Sequence, residues 1–99
     1  MRISIDFDGT ICHRKGIPTS RSLGRPKKGS KDAIRFFMEL GHDVWILTSH
    51  EDLNEVSSWL YKYKFPKLRI TNIKEPAHVY IDDRAIRFTN WQDIRKYFG

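Results

Sequence analysis

Three features of this 99-residue sequence predict an α/β fold built on a parallel sheet. Short apolar or β-branched runs alternate with stretches of helical spacing, residues 43–48 are apolar almost throughout, and acidic or hydroxyl residues stand just past several of the runs. Strands alternating with helices imply parallel pairing through right-handed crossovers. The expected architecture is a three-layer Rossmann-like sheet with helices on both faces, strand order 3-2-1-4 and a fifth strand at one edge.

Residues 2–6 (Arg-Ile-Ser-Ile-Asp) alternate in polarity and are rich in β-branched residues, the pattern of a first strand. Residues 11–29 carry Gly16, Pro18, Gly24, Pro26 and Gly29 and predict an irregular flap with the outline of a hairpin. Ser30 is a candidate N-cap with Asp32 in the first turn; Ala33, Ile34, Phe37 and Leu40 keep helical spacing until Gly41 supplies a stop. Residues 43–48 (Asp-Val-Trp-Ile-Leu-Thr) form the second strand. A second helix begins near Glu51, with Leu53, Val56, Leu60 and Tyr63 as its core stripe, acids early, Lys62 and Lys64 late, and Pro66 as its end. Leu68 to Thr71 and Val79 to Ile81 read as the third and fourth strands, Ile86 to Phe88 as a last edge strand, and Gln92 to Tyr97 as a terminal helix.

Residues 1–99 read as one domain without repeats, linker or low-complexity tract. No apolar stretch approaches the ~20 residues of a membrane span, and Met1-Arg2 leads straight into a strand pattern rather than a signal peptide. Cys12 is the single cysteine, which excludes an intrachain disulfide and suits a reducing, cytoplasmic setting. Charge is unevenly placed. The net charge is +6, and the bases of residues 11–29 (Arg14, Lys15, Arg21, Arg25, Lys27 and Lys28), with no acid among them, account for all of it. Such a flap attracts anionic substrates to a neighbouring site.

In a sheet of this order ligands bind outside the carboxyl ends of the strands where the order reverses, here between the first and fourth. The residues at those ends are Asp6 and Asp8, Thr48 and Ser49, Lys74, and Asp82 and Asp83. Side chains at i and i+2 of a strand share a face, so Asp6 and Asp8 start out together and need a cation or a shared proton. Carboxylates of the first and fourth strands can share one magnesium ion through oxygen ligands. Thr48 can donate to a phosphoryl oxygen, and Lys74 can offset its charge. Arg84 and Arg87 are competing partners for Asp83. None of His13, His42, His50 and His78 has metal-ligand spacing, but His50 follows Thr48 closely enough to touch substrate.

This ordered set resembles the haloacid dehalogenase superfamily: Ile3 to Thr10 ending in Asp-x-Asp-Gly-Thr, Val44 to Thr48, Lys74, and Val79 to Asp83. The stretch Pro76 to Ala85 is also similar to small bacterial and phage hydrolases of that superfamily, although Glu75 here separates Lys74 from the proline. The resemblance implies a magnesium-dependent phosphomonoester hydrolase. Asp6 would attack phosphorus to give an aspartyl-phosphate, and Asp8 would protonate the leaving oxygen and then activate water. Asp6, the backbone carbonyl of Asp8, and Asp82 would hold Mg2+, with Asp83 a ligand through water or an orienter of Lys74. Gly9, Thr10, Ser49 and His50 would face the substrate. Asp8 makes the dehalogenase branch a poor fit, since that branch lacks the second acid.

The intervals between motifs leave no room for a cap domain. An open site either admits bulky substrates or is closed by a neighbouring copy, leaving the oligomeric state open. With the basic flap alongside, the expected partners are a nucleotide, a nucleic-acid end or another bulky phosphate, and no membrane. Two other readings use the same residues: a receiver-like phosphate acceptor, and an inactive nucleic-acid-binding module.

Overall fold

The computed structural model describes residues 1–15 and 22–99. Arg21, Gly16 and Pro18 of the predicted flap lie outside the described residues. The chain runs β1 (Arg2–Asp6), β2 (Cys12–Lys15), β3 (Ser22–Pro26), α1 (Ser30–Glu39), β4 (Asp43–Leu47), α2 (Leu53–Lys62), β5 (Arg69–Thr71), β6 (Val79–Ile81) and α3 (Trp91–Arg95). Four strands form one parallel sheet in the order β5-β4-β1-β6, and β2 pairs antiparallel with β3 in a separate hairpin. Among the described residues no helix is long and apolar enough to cross a membrane.

Strand parity divides the sheet into two unlike faces. Ile3, Ile5, Val44 and Ile46 point to one face and form the core with Phe7, Ile34 of α1, and Val56, Trp59 and Leu60 of α2. Register places Ile5 between Ile46 and Ile81, so the apolar rows line up across strands. Ser4, Asp6, Trp45, Leu47 and Tyr80 point the other way.

Helices on both faces are expected from the sequence; instead both ten-residue helices pack on the first face. The steps from β1 to β4 and from β4 to β5 run in the same direction, and right-handed crossovers then deliver their helices to the same side. The returning step from β5 to β6 would supply the opposite layer, but residues 72–78 contain Pro76 and form no helix. That connection packs over the second face as a loop. Glu75 accepts from Arg69 Nη1 at 2.6 Å and lies 3.8 Å from Arg2 Nη2, and both guanidiniums stack over the fully buried Trp45 ring at 4.9 and 4.7 Å.

Helix boundaries differ from expectation for identifiable reasons. Gly29, at φ 83°, is the N-cap of α1, and Ser30 is already helical without capping through its side chain. Asp52 caps α2 by accepting from the Asn54 N–H at 3.0 Å, so that helix starts at Leu53 rather than Glu51. It ends before Pro66 in a Schellman motif: Phe65 N–H reaches Leu60 O at 3.0 Å and Lys64 N–H reaches Tyr61 O at 3.1 Å, which puts Lys64 at φ 60°. Residues 86–88 form no fifth strand. The Asp82 carboxylate accepts from the Arg84 N–H at 2.7 Å, an Asx-type turn at the end of β6. Beyond it Phe88, Trp91, Tyr97 and Phe98 are exposed, and α3 has no buried residue.

Candidate phosphoryl-transfer site

Asp6 closes β1 on the second face, and Asp82 and Asp83 follow β6, the neighbouring parallel strand. Parallel pairing sends both strand ends to one edge of the sheet. Carboxylate oxygens of Asp6, Asp82 and Asp83 come within 4.8 Å of one another. A cavity of about 530 Å³ opens beside them, lined by Asp6, Leu47, Lys74, Tyr80, Asp82 and Ile86.

The trio is electrostatically uneven. Partial burial, then the charges of Asp82, Asp83 and Asp8, push Asp6 up to about 6 from its ordinary 3.8, against a lowering by the Phe7 backbone N–H. Burial acts in the same sense on Asp83, but the hydrogen bond and charge of Arg14, together with the Arg84 charge, outweigh it and hold Asp83 below the usual carboxylate range. Arg14 of β2 donates from Nη1 to Asp83 Oδ2 at 2.7 Å, and Thr10 Oγ1 reaches Asp83 Oδ1 at 3.5 Å. Oxygen donors of this kind, gathered around a carboxyl group that resists ionising, suit a hard divalent cation. Asp6 and Asp82 are the pair without the Arg14 contact.

Asp8 goes elsewhere. The shared face expected for Asp6 and Asp8 holds only while the chain is extended, and β1 ends at Asp6. Phe7 O then accepts from the N–H groups of Thr10, Ile11 and Cys12, which winds the chain into a tight turn. The Asp8 side chain is buried, with Oδ2 2.9 Å from His50 Nε2 and Oδ1 accepting from Cys12 Sγ at 3.8 Å. The His50 contact is close but lies off the line of a hydrogen bond. Charge still couples the two acids, because Asp8 contributes to the upward shift of Asp6.

Gly9 makes the turn possible for two reasons. Its φ of +82° strains any residue with a Cβ, and a Cβ there would collide with Arg14 Nη1 and Asp83 Oδ2. Thr48 is buried, and its Oγ1 accepts from the His50 N–H at 3.2 Å, closing the turn after β4. Ser49 is exposed beside it. His50 is buried against the edge of the Phe7 ring, so its contact is with Asp8 rather than with the open cavity. Lys74 lines the cavity of Asp6 and Asp82, with Nζ 4.7 Å from the centre of the Tyr80 ring.

Arg14 does more than the charge steering its place in the basic flap implies, because it pairs with Asp83. The available signal was a hairpin placed directly after Asp-x-Asp-Gly-Thr, which folds its cations back over the strand end. The Asp8–His50 contact had no sequence signal beyond the closeness of His50 to Thr48.

No family model matches the sequence, and neither does any curated protein. Its fold is similar to that of a solved structure described as a conserved protein coded by a locus from Bacteroides thetaiotaomicron. The TM-score is 0.69 at 21% identity, over 97% of this chain and 87% of the other.

Proposed function

We propose that this chain is a magnesium-dependent phosphomonoester hydrolase of haloacid dehalogenase type without a cap domain. The observation that carries the reading is the convergence of Asp6 with Asp82 and Asp83 at the carboxyl ends of adjacent parallel strands. The order β5-β4-β1-β6 also supports it, being 3-2-1-4 when the sheet strands are numbered along the chain. Between the strands the described residues form only the hairpin, α1, α2 and short connections, which leave the acidic edge open.

Asp6 and Asp82 would hold Mg2+, and the ion supplies charge compensation for the acids and for a phosphoryl oxygen. An Asp6 carboxylate oxygen attacks phosphorus as the bond to the leaving oxygen breaks, giving an aspartyl-phosphate. To give a proton to the leaving oxygen, the Asp8 side chain must turn out of its buried contact with His50 and Cys12 towards Asp6. It then takes a proton from water, whose oxygen attacks phosphorus, breaks the acyl-phosphate bond and returns Asp6. Lys74, which lines the cavity with Asp6, and Arg14, which reaches Asp83, would offset charge on the phosphoryl oxygens. His50 and Cys12 hold the Asp8 carboxyl group in its buried position.

Phosphate release from a generic aryl phosphate, with magnesium and then with excess chelator, tests the reading. Turnover that requires magnesium and vanishes in Asp6→Asn is the expected result. Equal release from wild type and Asp6→Asn would overturn the assigned chemistry, and a metal-dependent phospho-protein that never turns over would favour the receiver-like alternative.

A further inference from the structure

We propose that the hairpin and the start of α1 form a track for single-stranded nucleic acid that ends at Asp6. The proposal rests on the phosphatase reading for the terminal phosphate that it places there. Two cavities adjoin along the hairpin. One, of about 530 Å³, is lined by His13, Arg14, Lys15, Arg25, Lys62 and Tyr63, and none of its described lining residues is acidic. The other, of about 470 Å³, shares His13 and Arg25 and adds Lys27, Lys28 and Lys31, with Asp32 as its acid.

Because the two cavities share His13 and Arg25, their cations are contiguous. At one end Arg14 touches Asp83 of the acidic trio at 2.7 Å; at the other Lys27 and Lys28 lead into α1. Lys31 ties the two ends together, donating from Nζ to Tyr63 O at 3.2 Å while bordering the second cavity. A contiguous run of cations spread over two cavities matches a polyanion better than it matches a single phosphate or a planar lipid surface. Tyr63 borders the first cavity, packed on Trp59 at 4.8 Å between centres with Lys62 Nζ 5.3 Å over its ring, and a positively charged groove of this kind follows the backbone of a strand. The substrate class that fits both the track and the acidic trio is a short oligonucleotide with a terminal phosphate.

The test uses octathymidylate phosphorylated at the 5′ or the 3′ end, with thymidine monophosphate as the short comparison. Fluorescence anisotropy in chelator reads the track without turnover. Three to six contacted phosphates predict a slope of log K against log salt of roughly −2 to −4. The variant Arg25→Glu/Lys27→Glu/Lys28→Glu, checked for folding by circular dichroism and melting, should lower affinity at least about tenfold. It should also collapse the preference in kcat/KM for the octamer over the monophosphate. A salt slope near zero in wild type, or unchanged affinity in a folded variant, overturns the track. Inorganic polyphosphate of equal charge competing as well as the octamer overturns the assignment to nucleic acid. Octamer binding with no metal-dependent phosphate release upholds the track and removes the phosphatase; release without octamer binding does the reverse.

Discussion

The two faces of the sheet are held down by different means. On the first, Ile3, Ile5, Phe7, Val44 and Ile46 meet two helices in a dry, continuous core. On the second, Trp45 is buried under two arginines bridged by Glu75, and the same face also holds Ser4 and Asp6. Apolar burial supplies stability on one side, and charge placement gathers the acidic trio on the other. Because the parity of one strand decides which side a residue serves, Ile5 and Asp6 take opposite tasks although they are neighbours in sequence.

Asp6→Asn probes the chemical face most strongly. It should reduce kcat by at least ~10³-fold, since a carboxamide is not a competent nucleophile. The same substitution should stabilise the metal-free protein at neutral pH. The folded-state pKa of Asp6 is raised from 3.8 to about 6, so its contribution is most favourable below the ordinary value and is lost as pH rises through about 6. After allowance for partial solvent screening this is worth about 1–2 kcal/mol. Melting of wild type and Asp6→Asn with chelator at pH 4, 6 and 7.5 should therefore show a gap that widens with pH. Asp83, held low by Arg14, has the opposite sign and loses its contribution as pH falls.

Ile46→Ala examines the dry face. A fully buried side chain replaced by a cavity costs about 2–5 kcal/mol, measured by urea denaturation. Gly9→Ala strikes the seam between the faces. The positive φ predicts a loss of about 1–2 kcal/mol, and displacement of the Arg14 and Asp83 side-chain ends predicts weaker magnesium binding by calorimetry. The smallest effect belongs to Glu75→Gln. Its bridges to Arg69 and Arg2 are partly exposed, so the cost should stay below about 1 kcal/mol and shrink in high salt. If Glu75→Gln cost as much as Ile46→Ala, the contrast between the faces would be wrong.

Element types were legible from the sequence where periodicity was strong: the alternation of residues 2–6, the apolar run of residues 43–48 and the stripe of α2 all lead to the elements found. The missing helical layer follows from the length and proline of residues 72–78, a connection too short for the crossover helix that the usual α/β pattern predicts. Asp6, Asp82 and Asp83 were legible as a group because strand ends in a parallel sheet are fixed by topology. Asp8, Thr48 and His50 lie in turns after strand ends, where no periodicity determines direction. Asp8 is carried inward by the winding of residues 7–12 around Phe7 O, and Thr48 and His50 sit in the turn after β4 that the His50 N–H closes, arrangements that spacing rules do not encode. The Arg14–Asp83 pair joins residues 69 positions apart and depends on where the hairpin lands.

Cys12 offers a native clock for hairpin opening. Its thiol is buried, and burial followed by the Asp8 charge raises its pKa to about 11, so it is shielded and protonated at neutral pH. A thiol-reactive reagent can therefore modify it only when β2 lifts from the turn that follows β1. The labelling rate counts those excursions directly, without an introduced probe, and ligands that pin the hairpin should slow it.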